Sequence, residues 1–138
     1  MGRLKPDILD SFRERGLRCT TQRYGVLEYL QHHRVHPTAD EIYRAVNRSD
    51  PRASRATVYN NLRSLIDAGL VRELVLDGKA ARFEAAVERH HHFVCDHCGR
   101  VEDIPWFEVQ HLADRTELGR RAVRSYELIL RGRCEKCG

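Results

Sequence analysis

No apolar run in this 138-residue chain approaches the roughly 20 residues that an α-helix needs to cross a bilayer. The opening stretch, MGRLKPDILDSF, is amphipathic and charged, so it does not read as a secretory signal. The expected location is the cytoplasm, with no membrane partner. Internal repeats and low-complexity segments are missing too. Net charge is small, with 24 Lys+Arg against 20 Asp+Glu leaving +4. That excess is unevenly placed. Through Arg82 there are 15 basic and 10 acidic residues (+5), and from Phe83 onward 9 and 10 (−1). The basic part is a candidate for a polyanion partner. Cysteine is sparse: Cys19, Cys95, Cys98, Cys134 and Cys137. Four of the five form two CxxC pairs. In a chain without a secretory signal this points to metal or thiol redox chemistry rather than a disulfide framework.

What is present along the first part is a series of amphipathic helices. Pro6 to Arg15 reads as a short helix stopped by Gly16. TTQRYGVLEYLQHH reads as a second, with Tyr24, Leu27 and Leu30 on one stripe. In HPTADEIYRAVN, Thr38 and Glu41 have capping-box spacing, and Ala39, Ile42, Tyr43 and Val46 supply a buried face. Ser54 can cap a fourth helix running to about Ala68, with Val58, Leu62, Leu65 and Ile66 inward and Gly69 as its stop. Two short apolar runs then flank Asp77-Gly78, a strong hairpin signal. Helices followed by a hairpin have the layout of a winged helix-turn-helix, whose last helix enters a DNA major groove.

After Phe83 the character changes. RHHHFVC, RVEDI and SYELILRGRC read as strands, and WFEVQHLADRTELG as a helix between them closed by Gly119. The expected fold class is therefore α+β. A winged-helix domain over residues 1–83 precedes a small α/β unit over residues 84–138. A unit of about 50 residues has a thin core, so a metal staple and a partner subunit are both expected.

Cys95 and Cys98, in CDHCG, match Cys134 and Cys137, in CEKCG. Four thiolates satisfy tetrahedral zinc and leave no open position, which describes a structural site. Thiol redox chemistry is the alternative. Cys19 reads as a small buried residue without a role, and His97 as solvent-facing. In the run His90-His91-His92, strand alternation sends His90 and His92 one way and His91 the other. The His90/His92 pair is a plausible half-site, but such a tract can equally be a solvated strand edge. His36 by itself reads as a loop residue.

GLRCTTQR, HPTADEIY, SRATVYNNL, RFE, HHHFVCDHCG and YELILRGRCEKC, in this order and spacing, resemble the ferric uptake regulator (Fur) family of bacterial metal-dependent repressors over nearly the whole chain. The resemblance implies a winged-helix DNA-binding domain, a C-terminal dimerisation domain, a homodimer on palindromic double-stranded operator DNA, and a structural Zn(II) on Cys95, Cys98, Cys134 and Cys137. It places a regulatory metal on His36, Glu84, His90, His92 and Asp103. Three imidazoles and two carboxylates without a thiolate suit Fe(II) or Mn(II). A third metal position of some iron regulators falls on Arg89, His91 and Tyr126. Arginine and tyrosine are poor ligands there, so His91 is implied to be a non-ligand.

Asp103 stands where the peroxide-sensing branch of the family carries Asp and iron-uptake regulators carry Glu, whereas Glu84 stands where the peroxide-sensing branch often has Asp. The implied function is a peroxide-responsive repressor, released from DNA when a ligand histidine (His36 or His90) is oxidised. The alternative is an iron- or manganese-uptake repressor without redox sensing. Tyr59 is implied to touch thymine methyls, and Arg55 or Arg63 to read a base edge or hold phosphate. Thr57 and Asn60 share their helix face, and Arg18 and Arg23 are candidates for backbone or minor-groove contact. A hydrolytic metalloenzyme would need a general base beside an open coordination position. The sequence offers no such base, so the chain is not read as an enzyme.

Overall fold

The computed structural model describes residues 4–33, 36–49, 53–76, 80–85 and 88–138. The chain is α+β and divides into two compact units, Met1–Val87 and Glu88–Gly138. The first holds α1 (Pro6–Glu14), α2 (Thr21–His32), α3 (Ala39–Ser49), α4 (Arg55–Asp67) and an antiparallel pair, β1 (Val71–Leu74) with β2 (Arg82–Ala85). This is the winged helix-turn-helix order. The expected Asp77-Gly78 turn lies outside the described residues.

Local chemistry sets the helix ends. Thr20 caps α2 by accepting from the Arg23 N–H at 3.2 Å, and Ser54 caps α4 by accepting from the Thr57 N–H at 3.1 Å. At α3 the Thr38 hydroxyl accepts from the Glu41 N–H at 3.2 Å and donates to the Glu41 carboxylate at 3.3 Å. α4 stops in a Schellman turn. Gly69 N–H donates to Ile66 O and Leu70 N–H to Leu65 O, with Gly69 at φ +77°. That left-handed φ is strained for any residue with a Cβ.

The core of this unit gathers Ile8 and Phe12 from α1, Tyr24, Leu27 and Leu30 from α2, Ile42 from α3, Val58, Leu62 and Leu65 from α4, and Val71 and Phe83 from the strands. Each expected helix stripe thus faces inward, Ile66, Tyr43 and Val46 at the partly buried margin. Val26 joins the core as well, so α2 is covered on more than one side. Cys19 is exposed, contrary to the expectation of a buried residue. It lies between α1 and α2, next to the Thr20 cap, where the chain has left the core.

The second unit is a three-stranded sheet in the order β4 (Val101–Pro105), β3 (His90–Cys95), β5 (Ile129–Gly132). β3 is antiparallel to β4 and parallel to β5. The helix expected over residues 106–119 is not formed. Two 3₁₀ turns, Leu112–Asp114 and Thr116–Leu118, stand in its place. The reason is competition for backbone groups. Val109 N–H donates to the Tyr126 hydroxyl at 2.7 Å, and His111 takes a left-handed φ of +60°. Neither fits a right-handed helix. The last strand is also shorter than expected, since Leu128 N–H turns aside to the His91 ring.

Leu65 is fully buried in the first unit. Leu65→Ala is expected to destabilise that unit by about 2–5 kcal/mol, read as a lower midpoint in urea denaturation followed by helical circular dichroism.

Candidate metal centres and nucleic-acid face

β3 ends at Cys95, and a tight turn returns the chain through Cys98 to Gly99, at φ +76°. The C-terminal turn brings Cys134 and Cys137 to the same place. Cys95 Sγ lies 3.8 Å from Cys137 Sγ, and Cys98 Sγ 3.8 Å from Cys134 Sγ. All four sulfurs lie within 4.8 Å of one another. A disulfide would need about 2.05 Å. A tetrahedral Zn(II) with bonds of about 2.3 Å sets its sulfurs about 3.8 Å apart, so the four residues fit zinc. The backbone N–H groups of Cys98 and Cys134 each point at Cys95 Sγ at 3.4 Å. They hold its pKa down to about 6, against the opposing effect of burial. Cys137 is pushed up to about 12, foremost by its hydrogen bond with Cys134. The two N–H groups thus favour the thiolate form of Cys95, the form a metal binds, and protons leave the thiols as metal binds.

The histidine run divides by strand face. His90 Nε2 and His92 Nε2 are 3.1 Å apart. Asp103, paired with His92 across β3 and β4, places Oδ1 3.4 Å from His90 Nε2 and 3.8 Å from His92 Nε2. His90 Nδ1 donates to Glu88 O at 2.8 Å. That bond fixes the tautomer and leaves the Nε2 lone pair facing His92 and Asp103, the arrangement a metal-ligating imidazole needs.

His91 differs. The Leu128 N–H donates to its Nδ1 at 3.0 Å, and its Nε2 donates to Phe107 O at 2.8 Å. Both nitrogens are spent, and the fully buried ring stacks on Trp106 at 4.3 Å. His91 is a strut of the small core. Arg89 lies over the Trp106 ring at 3.9 Å, and Tyr126 donates to Glu108 at 3.0 Å.

In the first unit, the loop before α3 carries His36, and β2 carries Glu84. Glu84 lies in β2, the second strand of the wing. His36 Nε2 lies 3.1 Å from Glu84 Oε2, and both residues are buried. Two arginines that the sequence did not single out build this pair. Arg72, opposite Glu84 across β1 and β2, reaches Glu84 Oε1 at 3.3 Å. Arg82 donates to His36 O at 2.9 Å, and Phe83 N–H to Pro37 O stitches the loop to the strand. The hairpin register was the signal that could have found Arg72.

The outer face of α4 presents Arg55, Tyr59, Asn60 and Arg63 as exposed side chains. Thr57 is half-buried, its hydroxyl 2.9 Å from that of Ser54 in the cap. Arg18 is exposed, but Arg23 turns inward, donating to Arg18 O at 2.9 Å and Ser64 Oγ at 3.4 Å. Arg23 braces α2 against α4.

The family model described as the ferric uptake regulator family matches residues 14–128. The chain is 38% identical over 134 residues to the peroxide operon regulator of Bacillus subtilis (strain 168), covering 95% of this chain and 91% of that one. Among solved structures it is similar to the Helicobacter pylori ferric uptake regulator Fur, described as having three functional metal binding sites. That match has a TM-score of 0.73 at 25% identity and covers 99% and 97% of the two chains. It is also similar to PerR of Streptococcus pyogenes, described in terms of peroxide sensing and gene regulation, with a TM-score of 0.53 at 32% identity over 96% and 91%.

Cys134→Ser removes one of four sulfurs. It is expected to release one zinc per protomer by elemental analysis and to make residues 88–138 readily cleaved in limited proteolysis, while residues 1–87 persist.

Proposed function

Because the chain belongs to the ferric uptake regulator family, we propose that it is a metal-dependent transcriptional repressor and a peroxide sensor, binding palindromic operator DNA as a homodimer. It is a regulator rather than an enzyme. Its cofactors are a structural Zn(II), held by Cys95, Cys98, Cys134 and Cys137, and a regulatory Fe(II) or Mn(II).

The regulatory ligands are His36 and Glu84 from the first unit, with His90, His92 and Asp103 from the second. The observation that carries this reading is the convergence of His90 Nε2, His92 Nε2 and Asp103 Oδ1 within 3.8 Å, with a carbonyl locking the tautomer of His90. Two neutral imidazoles facing one another across a carboxylate are stabilised by a shared cation. Ligands drawn from both units fix the angle between them, and two recognition helices in a twofold dimer must match the half-site spacing of the duplex. The switch is the difference in metal affinity between the locked and unlocked forms.

Similarity to the peroxide operon regulator supports the redox branch, as does Asp at position 103. With Fe(II) held there, the metal would supply the redox chemistry toward peroxide: the ring of His36 or His90 would gain one of the two peroxide oxygens, the other leaving as water, and would be lost as a ligand. The outer edge of β5, with Ile129 and Leu130 exposed, supports a second copy as partner through the small unit. Among the described residues no helix is long and apolar enough to cross a membrane, and the proposed location is the cytoplasm. The DNA face is Arg55, Tyr59, Asn60 and Arg63, with Arg18 toward the backbone. Thr57 and Arg23 act there as cap and brace.

The test is operator release by peroxide, with Fe(II)-loaded and Mn(II)-loaded protein compared. Only the Fe(II) form should leave DNA, with a gain of one oxygen on a peptide holding His36 or His90 by mass spectrometry. Equal resistance of both forms replaces the sensor with an iron- or manganese-uptake repressor. DNA binding indifferent to metal contradicts both.

A further inference from the structure

The start of α4 meets the first turn of α3 through a cluster of charged side chains. Asp40, in the first turn of α3, faces two arginines. Its Oδ2 lies 2.9 Å from an Arg44 Nη2, and its Oδ1 contacts Arg55 Nη1. The Arg55 guanidinium also lies over the Tyr43 ring, with its central carbon 4.6 Å from the ring centroid. Tyr43 packs against the core of the first unit, so the ring is a fixed platform. The Arg55 side chain remains 60% exposed and that of Asp40 40%.

An arginine on a helix surface ordinarily samples many rotamers, at a cost of about 2 kcal/mol when it is ordered. Here a carboxylate from one helix and a ring from the same helix restrain it before any ligand arrives. Arginine has five N–H donors in a planar fork. The Asp40 contact uses Nη1, which leaves Nε and Nη2 for an outside acceptor. In a helix-turn-helix, the N-terminal residues of the recognition helix are the ones that reach base edges. A restrained fork at this position suits the paired acceptors on the major-groove edge of guanine, whereas a free arginine serves mainly as a phosphate contact.

We infer that Asp40 and Tyr43 are positioning residues that orient Arg55 as a reader of one base pair, so that Asp40, though acidic and beside the DNA face, increases sequence discrimination. The inference rests on the DNA-binding reading. Asp40 removed as a mere negative charge and Asp40 removed as an orienter have opposite consequences for operator DNA, which makes the two roles separable.

The experiment uses full-length, Mn(II)-loaded protein and a duplex selected by the wild type from a random pool, with a scrambled duplex as control. Asp40→Asn should weaken the selected duplex about tenfold, the size of one lost base contact. It should leave the scrambled duplex unchanged or bound more tightly, because a negative charge is gone. Arg55→Lys keeps the charge but loses the fork. It should lose discrimination at the same single base pair as Asp40→Asn, and Asp40→Glu should recover part of it. An equal gain on both duplexes, an equal loss on both, or no change would overturn the inference while leaving the repressor reading intact. If the wild type selects no sequence at all, both fall.

Discussion

Successive side chains of a β-strand leave on opposite faces, and in β3 that alternation divides six residues among three tasks. His90 and His92 stand together on one face beside Asp103. His91 goes to the other face and becomes core, with a backbone partner on each ring nitrogen. Cys95 closes the strand as the sulfur on which two backbone N–H groups converge. A one-residue slip of β3 against β4 would exchange the faces, taking His90 and His92 away from Asp103 and His91 away from its two backbone partners. Register is therefore a functional quantity here. It is held by His91 and by the cysteine cluster at the strand end.

Charge organises the first unit in a similar way. Glu84 is buried, and a buried carboxylate is costly unless it is paired. Arg72 answers one oxygen and His36 lies against the other. These contacts tie the wing to the loop before α3, so that a group acting on His36 or Glu84 acts on the wing as well. In α3, Asp40 and Tyr43 hold Arg55.

Much of this could be read from the sequence because it is local. Caps at Thr38 and Ser54, the stop at Gly69, the inward stripes of α2, α3 and α4, and the CxxC pairs all depend on spacings of a few residues. The failures are non-local. Residues 106–119 have the apolar content of a helix, but the Tyr126 hydroxyl, 17 residues beyond Val109, takes the N–H that a helix would use. His91 reads as a non-ligand, but the two backbone hydrogen bonds it makes, to segments 16 and 37 residues away, have no local signal. Arg23, a DNA-contact candidate in the sequence, reaches Ser64, 41 residues on, a contact that no local spacing announces. Arg72 and Arg82 have no motif to announce them, because their partners are defined by strand register.

The central claim is that ligands on the two units share one regulatory metal that controls DNA binding. Its most direct measurement is a Mn(II) titration of the wild type, His36→Ala, Asp103→Ala and the double variant, with zinc content held constant. A shared site predicts that each single change, one in each unit, weakens Mn(II) binding and abolishes Mn(II)-dependent DNA binding, and that the double variant binds Mn(II) little worse than either single one. Additive losses, or a His36→Ala variant that binds Mn(II) as the wild type does, would contradict the account.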